Sequence, residues 1–208
     1  KKKKIIEDPT NGQPTNVGDQ TFKAEISGLG SNITYNWTTT GYASIVGANN
    51  QQEAVVHLGW GDSTEMTYQS FVSVEITAEA DGVSETKTQT TTVIINKPAP
   101  NIDLVTPKTD AATVAQTPLP YYVEVVQGTD SGPANTTTVS WSTDDSGATI
   151  VDGNTANPTI TFSAAGTYDV VATVTQTNEA GSGVQTGEVE ENVTEPPTGP
   201  SPITFFFF

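Results

Sequence analysis

A catalytic or metal site in this chain would have to be assembled from few ingredients. There is one histidine, His57, and no cysteine, so Ser–His and Cys–His nucleophilic catalysis and structural zinc lack the partners they need. His57 lies between Val56 and Leu58; on a strand its side chain points opposite to theirs, towards solvent. Carboxylates are plentiful, and two suffice for glycoside hydrolysis when they flank a cleft and burial raises one of them. Here Glu75, Glu79 and Asp169 take outward strand positions, and Asp144, Asp145 and Asp152 take turns, which makes them a solvated surface. No enzymatic activity and no cofactor are expected. Calcium is the ion best served, by Asp144 and Asp145 or by Asp103 and Asp110, because hard cations take carboxylate oxygens; their spacing matches no calcium-loop signature. For sugars, the candidates are exposed aromatics with polar neighbours: Trp60 between Gly59 and Gly61, and Tyr42 after Gly41. Trp60 has a second reading, as a cover over the end of a sandwich.

The elements that must carry these residues are strands. Threonine is the commonest residue, with many Val, Asn, Gly and Ser, and β-branched side chains favour a pleated surface over a helix. The 18 Gly and 13 Pro are spread along the chain and leave no room for a long helix. Val72, Val74, Ile76 and Ala78 alternate with Ser73, Glu75, Thr77 and Glu79, the period of a half-buried strand. Asp81-Gly82 follows as a hairpin turn, then a return strand to Ile95. About a hundred residues on, Tyr168, Val170, Ala172 and Val174 alternate in the same way and lead through Gly181-Ser182-Gly183 into a second return strand.

The upstream halves also align. Trp37 and Trp141 fall in register, followed by Ala43-Ser44-Ile45-Val46 and Ala148-Thr149-Ile150-Val151, then Val56-His57-Leu58 and Ile160-Thr161-Phe162. Early strands precede each Trp at 22–26 and 121–125. This is one domain present twice, the first copy carrying an insertion at Gly59-Trp60-Gly61-Asp62. The boundaries read as a basic tip at 1–4, a first domain at 5–96, a stiff proline linker at 97–100, a second domain at 101–195 and a proline-rich stalk with an apolar tail at 196–208. Short strands at 8–12-residue spacing with one central Trp predict an all-β fold of two tandem Greek-key sandwiches. Trp37, Val72, Val74 and Ile76 mark the first core; Trp141, Tyr168, Val170 and Val174 mark the second.

Charge narrows the partners. The 208 residues hold 24 acids and 8 bases, a net charge of −16. All the bases are lysines, four of them at the N-terminal tip, so the chain is not a nucleic-acid binder. No apolar run reaches the ~18 residues of a transmembrane helix. The start, Lys1 to Lys4 followed by Ile5-Ile6-Glu7-Asp8, does not read as a signal peptide. Phe205, Phe206, Phe207 and Phe208 are too apolar to leave in water and read as an anchor that docks into a partner. Four N-glycosylation patterns, at Asn32, Asn36, Asn135 and Asn192, are at the level chance allows in a Thr- and Asn-rich chain.

Gly166-Thr167-Tyr168-Asp169-Val170-Val171-Ala172-Thr173-Val174-Thr175 resembles the closing hairpin of polycystic-kidney-disease (PKD) and bacterial immunoglobulin-like (Ig-like) repeats. Trp37 followed by Ala43 to Gly47 and Gly59 to Asp62 is similar to PKD-like repeats of bacterial surface proteins, though the strict PKD stretch after the Trp is replaced by Thr38-Thr39-Thr40 and Ser142-Thr143-Asp144. The resemblance spans residues 5 to 195 and implies tandem Ig-like/PKD-like sandwiches. The Thr-rich, arginine-free style also resembles Ig-like domains on tailed-bacteriophage virions. That resemblance implies a non-enzymatic decoration protein at a virion surface or outside the cell, held to capsid, tail or filament proteins by a chain end and weakly contacting glycans. Spacer repeats of a cellular adhesin or surface layer, and an accessory module of a secreted polysaccharide hydrolase, are the alternatives; fold by itself does not choose among them.

Overall fold

The computed structural model describes residues 4–7, 14–26, 31–61 and 65–197, so Phe205 to Phe208, Lys1 to Lys3 and Asp62 lie outside the described residues. The described residues form strands and no helix. They divide into two units. The first holds the chain to Pro100 with Asp130–Pro133 and Asn178–Gly181; the second holds Asn101–Thr129, Ala134–Thr177 and the chain from Ser182.

In the first unit the strands are β1 (Lys4–Glu7), β2 (Pro14–Thr15), β3 (Gly18–Glu25), β4 (Ser31–Thr40), β5 (Ala43–Val46), β6 (Glu53–Leu58), β7 (Thr67–Ala80) and β8 (Val83–Asn96). They make two four-stranded sheets, ordered β1-β3-β6-β5 and β2-β8-β7-β4. Lettered A, A′, B, C, D, E, F, G along the chain, these orders are A-B-E-D and A′-G-F-C, the immunoglobulin sandwich. Short β2 pairs parallel to β8, whereas the other pairings are antiparallel.

In the second unit β9 (Ile102–Lys108), β10 (Leu119–Pro120), β11 (Tyr122–Gln127), β12 (Thr136–Thr143), β13 (Thr149–Val151), β14 (Thr159–Thr161), β15 (Gly166–Asn178) and β16 (Gly181–Val193) repeat the plan. The sheet orders are β11-β9, β10-β14-β13 and β12-β15-β16. Because β10 and β11 are two halves of one strand, the first two ladders together are again A-B-E-D. The parallel bridge from Val114 to Thr194 is the counterpart of β2 on β8. The chain is all-β, two tandem Ig-like sandwiches.

Alternation dictates which faces meet. Along β7, Val72, Val74 and Ile76 turn inward and are at most 2% exposed, packing with Phe22, Trp37, Val56, Leu58 and Ile95. Along β15, Val170, Ala172 and Val174 are fully buried against Tyr121, Trp141, Ile160 and Phe162. Tyr168 is only partly buried and reaches the second core by stacking on Phe162, with ring centroids 5.4 Å apart.

The outward rows are hydroxyls that pair across strands: Ser73 with Thr90 at 2.8 Å and Thr77 with Thr86 at 2.7 Å. Thr173 pairs with Thr186 and Thr177 with Ser182, both at 2.9 Å. Such pairs are favourable on a solvated strand face.

The turns are partly as expected. Asp81 and Gly82 have φ of 52° and 75° and join Ala80 to Val83 as a two-residue hairpin. The second hairpin turns earlier than Gly181-Ser182-Gly183 suggests. The Asn178 carboxamide oxygen accepts from the Ala180 and Gly181 N–H groups and closes the turn itself; the glycines belong to β16. Gly187 in β16 answers a different need, because a Cβ there would stand 1.9 Å from the Val105 carbonyl oxygen of β9.

Candidate functional site

His57 does not stand free in solvent. It sits on β6 opposite Asp19 of β3, is half-buried, and meets a carboxylate at each ring nitrogen. Nδ1 is 2.7 Å from Asp19 and Nε2 is 2.9 Å from Asp130, which belongs to the same unit. The Asp19 hydrogen bond raises the imidazole pKa above 6.5; burial opposes it and the Asp130 charge adds to it. With a carboxylate at each nitrogen, the geometry favours the imidazolium form as a clamp between Asp19 and Asp130, and neither nitrogen faces a nucleophile.

A raised folded pKa gives a definite sign. The clamp's stabilisation is fully present below the unfolded value near 6.5 and is lost as pH rises through the higher folded value. The Asp19 side chain is 56% exposed, so the contribution is under about 1 kcal/mol. Chemical denaturation of the first unit at pH 5.5 and pH 8.5 should show this loss, and His57→Gln should abolish the difference. An undiminished pH difference in that variant would assign it to other groups.

Asp145 is also not a solvated turn residue. It is 8% exposed, and its two carboxylate oxygens accept from the Ser163 N–H at 2.7 Å, the Ser163 hydroxyl at 2.7 Å and the Gly147 N–H at 2.9 Å. Oxygens so occupied hold a corner together and leave little for a cation. Its neighbour Asp144 accepts from the Asp169 N–H at 2.8 Å. Asp103 lies on β9 and Asp110 beyond its end. Among the described residues no three His, Asp or Glu side chains gather as a metal cage.

The two candidate sugar aromatics part company. Trp60 is 8% exposed and belongs to the first core, so it covers the sandwich interior and offers no open face to a pyranose. Its backbone reaches the core because Gly59 N–H donates to the Tyr42 carbonyl at 2.8 Å, continuing β6 beyond Leu58. Tyr42 is 44% exposed. Its ring is tilted on Tyr68 with centroids 4.8 Å apart, and it lies so close to Gly61 that a Cβ there would be 1.8 Å from Cζ. Glycine at 61 is therefore what lets this ring lie against the loop.

A feature that sequence reading passes over is a cleft of about 290 Å³ in the second unit, lined by Asp110, Pro120, Tyr121, Tyr122, Asn157 and Pro158 among others. Tyr122 is half-buried and its hydroxyl donates to Asp110 at 3.3 Å. The Tyr121 hydroxyl is buried with no partner at hydrogen-bond geometry. Burial first, then the Glu191 carboxylate near it, pushes that phenol well above its ordinary pKa. The one local signal was the pair of prolines, Pro120 and Pro158, in segments that otherwise read as strands.

No protein-family model matches the sequence, and no curated relative does either. Solved structures similar to the chain include fibronectin(III)-like modules of Clostridium thermocellum CbhA, at 13% identity and TM-score 0.31 over 97% of this chain and 100% of that one. Human protocadherin-24 EC1-2 is similar at 12% identity and TM-score 0.35, over 95% and 98%. The D00-D0 domain of intimin is similar at 15% identity and TM-score 0.33, over 89% and 98%.

Proposed function

We propose that the chain is a non-enzymatic structural module of a virion or other surface assembly. Its two Ig-like/PKD-like domains, like those of tailed-bacteriophage virions that the sequence resembles, project into solvent as an acidic, hydroxylated coat. They make weak contacts with host or environmental glycans. A chain end, with Phe205 to Phe208 favoured, joins it to a capsid, tail or filament. The observation that supports this best is that one sandwich is built twice, each around a core of its own. A duplicated, self-supporting unit suits projection and repetition, while the chain's lone histidine serves as an ion-paired clamp.

Electron microscopy of particles from the source tests the reading. Two beads of density projecting from a capsid, tail or filament, with the C-terminal phenylalanines buried at the attachment, is the expected result. A chain found only as a free monomer in that material overturns the assembly reading.

A further inference from the structure

In the A-B-E-D sheet the B strand of the second unit is broken where that of the first is not, and a cleft lies there. In the first unit β3 runs unbroken from Gly18 to Glu25 between β1 and β6. In the second, Pro120 and Pro158 stand on the facing B and E segments. A proline has no N–H to give to a ladder and is tolerated where pairing stops. The B strand accordingly breaks at Tyr121: Leu119 and Pro120 pair with Ile160 and Thr159, while β11 pairs with β9. Across the break two backbone bonds remain, Tyr121 N–H to the Pro158 carbonyl at 2.9 Å and Val123 N–H to the Ala156 carbonyl at 3.2 Å.

The groups at this break make a consistent set. The Tyr122 ring and the pyrrolidines of Pro120 and Pro158 supply apolar surface. The exposed Asp110 carboxylate and Asn157 carboxamide supply acceptors and donors. A ligand matched to them has an apolar C–H face for the ring and prolines, and adjacent hydroxyls that donate to a carboxylate and bridge to an amide. The cleft volume of about 290 Å³ is at the small end of the ~300–1,000 Å³ of small-molecule sites, room for one sugar residue and not a chain of them. Asp110 and the net charge of −16 turn away sugars bearing carboxylate or phosphate.

We propose that this cleft is a binding site for a single neutral pyranose, with Tyr122 as the platform and Asp110 and Asn157 as the hydroxyl-reading groups. The proposal rests on the glycan contact named under the proposed function and assigns it to the second unit instead of to Tyr42.

The test is a titration of the isotope-labelled full chain, followed by backbone amide NMR, with the methyl glycosides of glucose, galactose, mannose and N-acetylglucosamine; glucuronic and sialic acids serve as charged probes. Saturable shifts at Asp110, Tyr121, Tyr122 and Asn157 with at least one neutral glycoside are expected, with a dissociation constant on the order of 1 mM, and none with the acids. Tyr122→Ala and Asn157→Ala should each weaken binding by about tenfold, while Tyr122→Phe, which keeps the ring, should bind nearly as well as the parent. Should Tyr122→Ala fail to fold, Asn157→Ala, a change in an exposed loop, decides. No saturable shift with any neutral glycoside overturns the proposal, as does binding unchanged by these variants. Shifts gathered around Tyr42 would also overturn it while leaving the broader glycan reading standing. None of these outcomes bears on attachment to a particle.

Discussion

Trp141→Ala is expected to cost the second unit about 3–5 kcal/mol, and Trp37→Ala to cost the first unit as much. Each indole is both packing and tether. Trp37 and Trp141 are 1% and 8% exposed in their cores, on the strands that pair with β7 and β15 opposite Val74 and Ala172. Each Nε1–H donates to a carbonyl 14 residues downstream, Trp37 to Gln51 at 2.8 Å and Trp141 to Thr155 at 2.9 Å. Their backbone N–H groups hold the same loops, through Asn49 at 2.8 Å and Gly153 at 3.0 Å.

Truncation therefore opens a cavity and strands a half-buried carbonyl, two losses that add. For a domain of about 100 residues, 1 kcal/mol moves the melting temperature by about 4–8 °C, so a fall of at least about 12 °C in the affected unit's transition is expected by calorimetry. Trp→Phe restores most of the volume without the donor and should recover more than half of the loss. If the alanine variants melted within a few degrees of the parent, the packing described for these rings would be wrong.

The second large effect belongs to Asp145. Burial by itself would raise its carboxyl, but the Ser163 N–H and hydroxyl and the Gly147 N–H outweigh that and hold the pKa below the ordinary 3.8. A depressed folded pKa stabilises the fold at pH values above the unfolded value near 3.8. That stabilisation is lost as pH falls through the lower folded value. Asp145→Ala leaves the Ser163 and Gly147 donors without their acceptor and should cost the second unit roughly 2–3 kcal/mol at pH 7, the range of charge-assisted hydrogen bonds. Asp145→Asn keeps the shape but exchanges one acceptor oxygen for a donor, so its cost should be smaller. It should also remove part of the second unit's loss of stability between pH 4 and pH 2. Denaturant melts across that window check both statements, and an acid transition unchanged in Asp145→Asn would show that the group does not titrate as described.

Local chemistry explains why some of this was legible in the sequence. The alternation of Val72, Val74 and Ile76, and of Val170, Ala172 and Val174, is a period-2 pattern that any half-buried strand must show, and the buried rows are those residues. Asp81-Gly82 is a turn because both positions take positive φ. The in-register pair Trp37 and Trp141 needs only the repeat to be recognised, and two sheets need one large inward residue to fill the gap between them. The all-β class, the duplication and the main core rows were thus settled by spacing within short stretches.

What the tertiary structure decided depends on residues far apart in the chain. Nothing within a few residues of His57 foretells Asp19 and Asp130, which lie 38 and 73 positions away. Asp145 reads as a surface turn until Ser163, 18 residues on, folds back on it. Trp60 between two glycines suits either an exposed sugar contact or a cover over the sandwich, and the backbone extension past β6 makes it the cover. The second-unit cleft brings Asp110, Tyr122 and Asn157 together where Pro120 and Pro158, on facing segments, interrupt the regular ladder. Alternation and turn chemistry are set by neighbours along the chain, so one sequence suffices to read them. Burial of a polar group is set by which distant strand covers it, and that is decided when the sheets close.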